Sequence, residues 1–250
     1  MITKFTIFGE RCSGTNFLEH AIIENFGLQL TSKYGWKHFF GFDKYDTPDC
    51  DQTLFIGIVR NPYKWMNSFY KNPHHLHDGL KRNPESFFTQ EFWSFHSTKE
   101  KHGQEIMEDR NINTKRRYKN IFESRQVKCR YLLNEMPKKV KYYILIKYED
   151  LRDRYDQTMD RIMGISADLK KKHDKYVRID SYKGETKQPF TINEQEVLNR
   201  KRISSNLNVE LEKRLGYQVD TVVKPPVPVT KIVKTPIKIA VFNPPIGHYS

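Results

Sequence analysis

The sequence predicts a three-layer α/β/α fold with a mostly parallel central sheet. Two observations carry that expectation. An apolar run, a Gly-punctuated loop and an amphipathic helix occupy residues 5–26, and a second apolar run feeds directly into a helix at 53–70. Strands that alternate with helices in this way pair in parallel and bury both faces of their sheet. A further apolar stretch at 141–148 supplies another strand.

The first unit opens with Ile2 and the run Phe5 to Phe8, which suit a buried strand. Leu18, Ile22 and Phe26 then recur four apart, with Phe17 and Ala21 beside them, and Gly27 is a natural helix stop. Between strand and helix lies Gly9 to Gly14, with the Gly-x4-Gly outline of loops that wrap backbone N–H groups around a phosphate at a helix N-terminus. Thr15-Asn16 stands where an ATPase or GTPase carries Lys-Ser/Thr, so the loop suits an anion better than a magnesium–triphosphate. A glycine turn that holds no ligand has the same outline.

The second strand ends in Arg60. Asn61 caps the helix that follows, and Pro62 suits its first turn. Ser68 sits eight residues after Arg60, two turns into that helix. An arginine at a strand end presents a planar fork of donors to a phosphate, and Ser68 adds a neutral hydroxyl. An ion pair for Arg60 and a plain surface position for Ser68 are the alternative.

Residues 71–118 are polar and loop-rich. They hold His74, His75, His77, His96 and His102, whose spacing defines no ligating face, so no metal is expected. Phe87, Phe88, Phe92, Trp93 and Phe95 either line an acceptor pocket or form ordinary core. A helix is expected over 119–135, a strand at 141–148, and two late helices at 193–202 and 206–215, where Leu207, Leu211 and Leu215 share one face. From 219 the chain turns Pro- and Lys-rich, which denies helix and sheet alike. The expected organisation is a domain over 1–218 and an extended tail over 219–250.

The formal net charge is +13 over 250 residues. Much of it falls in 110–130, on Arg110, Lys115, Arg116, Arg117, Lys119, Arg125, Lys128 and Arg130. A solvated helix face is the expectation there, with attraction of a polyanionic ligand as the sharper reading. No DNA-reading helix, zinc finger or ribonucleoprotein motif stands out, so sequence-specific nucleic-acid binding is not expected. No apolar run approaches the about 18 residues of a membrane span, and no signal-peptide core is seen. Cys12, Cys50 and Cys129 are scattered and odd in number, which fits a reducing compartment. A cytoplasmic protein is expected.

Several of these segments, in this order, resemble the sulfotransferase superfamily. Gly9-Glu10-Arg11-Cys12-Ser13-Gly14-Thr15-Asn16 resembles its 5′-phosphosulfate loop. Arg60-Asn61-Pro62 with Ser68-Phe69-Tyr70 resembles its 3′-phosphate motif. Lys147-Tyr148-Glu149-Asp150-Leu151 resembles the end of a later core strand, and Tyr182-Lys183-Gly184-Glu185 the segment that closes over the 3′-phosphate. Leu215-Gly216-Tyr217 matches a common ending of the domain, so the likeness spans about residues 3–218. The resemblance implies a P-loop-like fold and 3′-phosphoadenosine 5′-phosphosulfate (PAPS) as sulfuryl donor, without a metal. It implies that Arg11, Cys12, Ser13, Gly14, Thr15 and Asn16 hold the 5′ group. It further implies that Arg60 and Ser68 hold the 3′-phosphate, with Tyr182, Lys183 and Gly184 closing over it.

Many members carry Lys or Arg where this chain has Cys12; either Arg11, one place earlier, or another cation is the implied substitute. Lys37-His38 resembles the family's Lys-x-His segment, which implies His38 as general base and Lys37 as the cation on the bridging oxygen. Asp43, Asp46 and Asp49 are weaker rivals as base. The implied acceptor is a hydroxyl or amine of a small molecule or carbohydrate. A P-loop kinase or nucleotidase, and a non-catalytic polyanion-binding protein on the same fold, are the alternatives.

Overall fold

The computed structural model describes residues 1–41, 45, 47–179 and 196–220. It shows an α/β fold built on a four-stranded sheet, β1 (Lys4–Gly9), β2 (Gln29–Leu30), β3 (Thr53–Val59) and β4 (Tyr142–Lys147). Every pairing is parallel and the strand order is β2-β1-β3-β4. Helix α1 (Thr15–Asn25) follows β1, and α2 (Pro62–Lys71) follows β3. The 71–118 region adds short helices α3 (Asp78–Lys81) and α4 (Pro84–Thr89). Then come α5 (Ile121–Arg130), a π-helical turn at Tyr131–Glu135 and α6 (Met136–Lys139). After β4 the chain forms α7 (Tyr148–Asp153) and α8 (Tyr155–Met163), and later α9 (Arg200–Asn206) and α10 (Val209–Arg214). The helix expected over 119–135 is present from Ile121 and passes into a π-helical turn beyond Arg130; Pro137, which has no N–H to donate, sits in the first turn of α6.

Strand alternation sorts the core. Phe5, Ile7, Leu54, Ile56, Ile58, Ile144 and Ile146 pack with Phe17, Leu18 and Ile22 of α1 and with Met159 and Ile162 of α8. Phe8, Phe55 and Val59 face the other way, onto Phe40, Cys129, Leu132, Leu211 and Leu215. Strands buried on both faces read as continuous apolar runs, which is why β1 and β3 were legible. A third cluster fastens α2 to the inserted region: Trp65, Met66 and Phe69 meet Phe87, Phe88, Phe92 and Ile121. Phe87, Phe88 and Phe92 are thus core, whereas Trp93 is half-buried between the His77 ring and the Arg117 guanidinium.

Chain order places the ends of the sheet. β1 leads to β2 on one side, and β3 then returns on the other, so the direction of winding reverses between β1 and β3. Gly9 pairs with Ile58, and Val59 with Lys147, so β1, β3 and β4 finish together. The crevice at such a reversal, outside the carboxyl ends of the strands, is where open parallel sheets bind ligands.

Buried polar groups tie distant segments to this frame. Asn25 Oδ1 accepts the Val177 N–H at 2.7 Å, and its amide donates to the Tyr155 hydroxyl at 2.9 Å. Asn67 Oδ1 accepts the N–H groups of Val197 and Leu198 at 2.7 and 2.9 Å. Arg125 and Glu212 form a two-pronged buried pair at 2.6 and 2.8 Å, joining α5 to α10. The packed chain reaches slightly past the expected boundary at 218: Val219 lies against the third cluster, and the Asp220 N–H donates to the Tyr63 hydroxyl at 2.8 Å. The rest of the expected tail, 221–250, lies outside the described residues. Among the described residues, no helix is long and apolar enough to cross a membrane.

Glu212→Ala leaves the Arg125 charge buried and unmatched, which costs roughly 3–5 kcal/mol. Urea unfolding of the variant reads that loss directly. A loss under about 1 kcal/mol, the range of a surface pair, would show that this pair is solvated.

Candidate anion site at the β1–β3 switch point

The loop after β1 turns tightly because two residues adopt left-handed backbone, Cys12 at φ 62° and Gly14 at φ 95°. Gly14 is required there twice over: a Cβ would also lie 2.3 Å from Cδ2 of Tyr148. Left-handed and right-handed residues in succession point their N–H groups to one side and make an anion-binding concavity.

Five carbonyl oxygens of this loop are occupied. Gly9 O accepts from Nδ1 of His38 at 2.8 Å, and Glu10 O accepts from the Ser13 N–H and hydroxyl at 3.1 and 2.6 Å. Arg11 O accepts the Trp65 indole N–H at 2.8 Å, and Cys12 O accepts from the Arg60 guanidinium at 2.8 Å. Gly14 O accepts the Leu18 N–H at 3.0 Å. The N–H groups of Cys12, Gly14, Thr15 and Asn16 donate to no group among the described residues. Helix α1 has no side-chain N-cap and no acid in its first turn, so its positive end is open toward the same place.

The second motif arrives from β3. Asn61 Oδ1 caps α2 by accepting the Tyr63 and Lys64 N–H groups at 3.1 and 3.3 Å, and Pro62 begins the helix. Arg60 lies over the Tyr148 ring at 4.7 Å, and its buried Nε has no partner among the described residues. The Ser68 hydroxyl rests against the Cys12 thiol. Arg60, Ser68 and the loop, far apart in sequence, therefore converge. Burial pushes the Cys12 thiol up, with the Ser68 hydroxyl and then Arg60 and Arg11 opposing it, so Cys12 remains a thiol rather than a nucleophilic thiolate. Tyr182, Lys183 and Gly184 lie outside the described residues.

His38 and Lys37 reach the loop on a short turn. Lys37 O accepts the Gly9 N–H at 2.9 Å, and its ammonium donates to Asn16 Oδ1 at 2.6 Å and to Glu19 at 3.0 Å. His38 is 8% exposed. Its Nδ1 faces a carbonyl, which can only accept, so the proton sits on Nδ1 and the lone pair on Nε2. Burial lowers this imidazole to about 3, against the pull of the Gly9 bond, with Arg11, Lys37 and Lys128 adding to the depression. The exposed Trp36 ring stands 4.8 Å from His38 and 5.6 Å from His75. Of the rival bases, Asp49 pairs with Lys33 and Lys4 at 2.8 and 3.6 Å, while Asp43 and Asp46 lie outside the described residues.

Arg11 goes elsewhere. Its guanidinium turns beneath the loop to Asp109 at 2.9 Å, Ser94 Oγ at 2.6 Å and His74 O at 3.2 Å, and is 1% exposed. Among the described residues, the cations beside the loop's open face are Arg60 and Lys37, not Arg11. The basic stretch is a solvated face in part: Lys115, Arg116, Lys119 and Arg130 are exposed, Arg110 and Arg117 pair with Glu105, and Arg125 and Lys128 point inward and are buried. Among the described residues, no group of three His, Cys, Asp or Glu is disposed to hold a metal ion. His77 instead caps α3 through Nδ1.

Glu10, Asp109 and Lys128 did not stand out in the sequence, because partners so far apart leave no local pattern. Neither the models of known protein families nor the curated proteins give a match to this chain.

The depressed His38 sets a pH dependence. The unfolded chain binds this proton near its ordinary value of 6.5, the folded chain only near 3. The contribution is therefore fully present above pH 6.5 and falls by about 1.4 kcal/mol per pH unit as pH drops toward the folded value. His38→Gln should remove that part of the slope in urea unfolding between pH 7 and pH 5. An unchanged slope would mean that His38 titrates as a solvated imidazole.

Proposed function

We propose that this chain is a PAPS-dependent sulfotransferase, with the three-layer, P-loop-like organisation that the sequence resemblance implies. One observation carries the reading. Two anion-directed motifs, the open N–H groups of the loop with the α1 N-terminus and the Arg60–Ser68 pair, meet at the switch point between β1 and β3. A ligand with two separated phosphate-like groups suits that pairing. Arg60 offers a buried, unmatched Nε, the kind of donor that an incoming oxyanion satisfies.

In this reading the loop from Cys12 to Asn16 holds the 5′-phosphosulfate through the backbone N–H groups of Cys12, Gly14, Thr15 and Asn16, with Ser13 bracing the turn through Glu10 O. Arg60 and Ser68 hold the 3′-phosphate. When bound, the donor supplies a sulfuryl group that passes in line to an acceptor oxygen or nitrogen. His38 accepts the acceptor's proton at Nε2, and Lys37, next to Asn16, steadies negative charge on the bridging oxygen. The acceptor side is the turn that carries His38, where Trp36 offers an exposed ring. Because His38 is neutral through the physiological range, its lone pair is available without prior deprotonation. Catalysis then rests on positioning and on preorganised donors, as in phosphoryl transfer. A kinase reading lacks the Lys-Ser/Thr that follows Gly14 in a triphosphate loop. One observation favours a non-catalytic binding module instead: His38 is buried and weakly basic.

Calorimetric titration with 3′-phosphoadenosine 5′-phosphate, beside ATP with magnesium, tests the reading. The first should bind tightly and the second weakly. Arg60→Ala should lower affinity for the 3′-phosphorylated nucleotide by about tenfold to a hundredfold and abolish the preference over adenosine 5′-phosphosulfate. Unchanged discrimination would remove Arg60 from the site.

Turnover distinguishes enzyme from binding module. His38→Ala should slow sulfuryl transfer by about a hundredfold, well beyond the loss of nucleotide affinity that the freed Gly9 carbonyl causes. The wild-type kcat/KM should stay flat down to about pH 5, without the limb near 6.5 of an ordinary histidine base. A variant as fast as the wild type would place the base elsewhere.

A further inference from the structure

Lys128 lies on α5 within the most basic part of the chain, where lysines ordinarily reach for water, yet it is 1% exposed. Its ammonium meets three separate segments. It contacts Oε1 of Glu10, in the loop, at 2.7 Å. It donates to the carboxylate of Asp109, in the inserted region. It also donates to the backbone carbonyl of His38 at 3.1 Å. Two of its protons serve the His38 carbonyl and the Asp109 carboxylate as hydrogen bonds, while Glu10 is an ion-pair neighbour whose buried oxygens have no hydrogen-bond partner among the described residues. The rings of Phe39, Phe40 and Tyr118 stand 5.8–5.9 Å from Nζ and shield the group. On the far side Asp109 accepts from Ser94 and Arg11. Burial alone would raise the Asp109 carboxyl; Lys128 and Arg11 hold it below the usual range.

Glu10 and Arg11 are neighbours at the start of the loop, and both side chains are drawn down into this alternating row, Glu10–Lys128–Asp109–Arg11. Two charges of each sign cancel, so the row adds no net charge beneath the site. An apolar cluster of similar volume would be as stable as a buried ion row, and often more so. What it would lack is direction: only paired charges dictate how the loop and the turn sit relative to each other.

We propose that Lys128 is a positioning residue that locks the anion loop and the His38 turn into one unit. The consequence for nucleotide binding rests on the sulfotransferase reading; the locking itself does not. With Lys128 in place, Glu10 fixes the start of the loop. The His38 carbonyl fixes the turn to Lys128, while Nδ1 of the same residue holds Gly9 O. Loop and candidate base then share one anchor.

Amide hydrogen exchange on the full chain tests this, comparing Lys128→Met with the wild type. The reporters are Ser13 N–H, bonded within the loop, and Gly9 N–H, bonded to the turn at Lys37 O; Ile56 and Ile144 report the central sheet. Exchange at Ser13 and Gly9 should quicken by about tenfold or more beyond any change at Ile56 and Ile144. Affinity for 3′-phosphoadenosine 5′-phosphate should fall by about tenfold or more in parallel. Glu10→Met leaves Lys128 its contacts to Asp109 and His38, and keeps the test open if Lys128→Met does not fold. It should quicken exchange at Ser13 while Gly9 stays protected. Equal quickening at all four amides, or none at the loop and turn, would overturn the proposal. If the wild type fails to bind the nucleotide, the sulfotransferase reading falls, and the exchange pattern still decides the role of Lys128.

Discussion

A loop can present its N–H groups to a ligand only if its carbonyl groups are disposed of elsewhere. In this chain the carbonyls of Gly9, Glu10, Arg11, Cys12 and Gly14 each accept a hydrogen bond, from His38, Ser13, Trp65, Arg60 and Leu18. A carbonyl left bare in this concavity would repel an anion and carry a buried polar debt. Much of the fold serves to deliver those donors. The β1–β3 pairing brings Arg60 to Cys12, and α2 carries Trp65 under Arg11. The turn that pairs with Gly9 through Lys37 swings His38 onto the Gly9 carbonyl.

Electrostatics follow the same division. Beneath the loop the buried charges alternate and cancel, while above it the open N–H groups, the α1 dipole, Arg60 and Lys37 all favour an anion. The formal charge of +13 is thus not what selects the ligand. Net charge acts at long range and without direction, whereas selection at the candidate site would rest on donors fixed in direction. Arg60 combines both roles: it closes the loop through Cys12 O and retains an unmatched Nε. His38 is similarly double, since the ring that ties down Gly9 O carries a lone pair on its other nitrogen that has no partner among the described residues.

The parts of this arrangement visible in the sequence were those with local signatures. The runs at Phe5–Phe8 and Leu54–Val59 announce doubly buried strands, and Leu18, Ile22 and Phe26 announce one face of a helix. Asn61-Pro62 announces a capped start, confirmed by the two N–H groups that Asn61 receives. Glycines mark the loop because left-handed backbone at Gly14 excludes most other residues. The buried row was not visible: Arg11 and Asp109 are separated by 98 positions, and nothing local distinguishes the inward Lys128 from the outward Lys119. Composition alone assigns both to solvent. For the same reason Arg11 looked like a donor for the loop, when its distant partner turns it underneath. The two-residue β2 carries too little pattern to be read, and the folding of 71–118 onto α2 depends on contacts between elements rather than on either element alone.

The central claim is that an anion is held by this loop at the β1–β3 switch point. Backbone amide NMR during addition of 3′-phosphoadenosine 5′-phosphate tests it most directly. The largest shifts should fall on the N–H groups of Cys12, Gly14, Thr15 and Asn16, with a matching change at Arg60 Nε. Shifts concentrated instead on the outward basic residues of the 110–119 segment, with the loop amides unmoved, would contradict it.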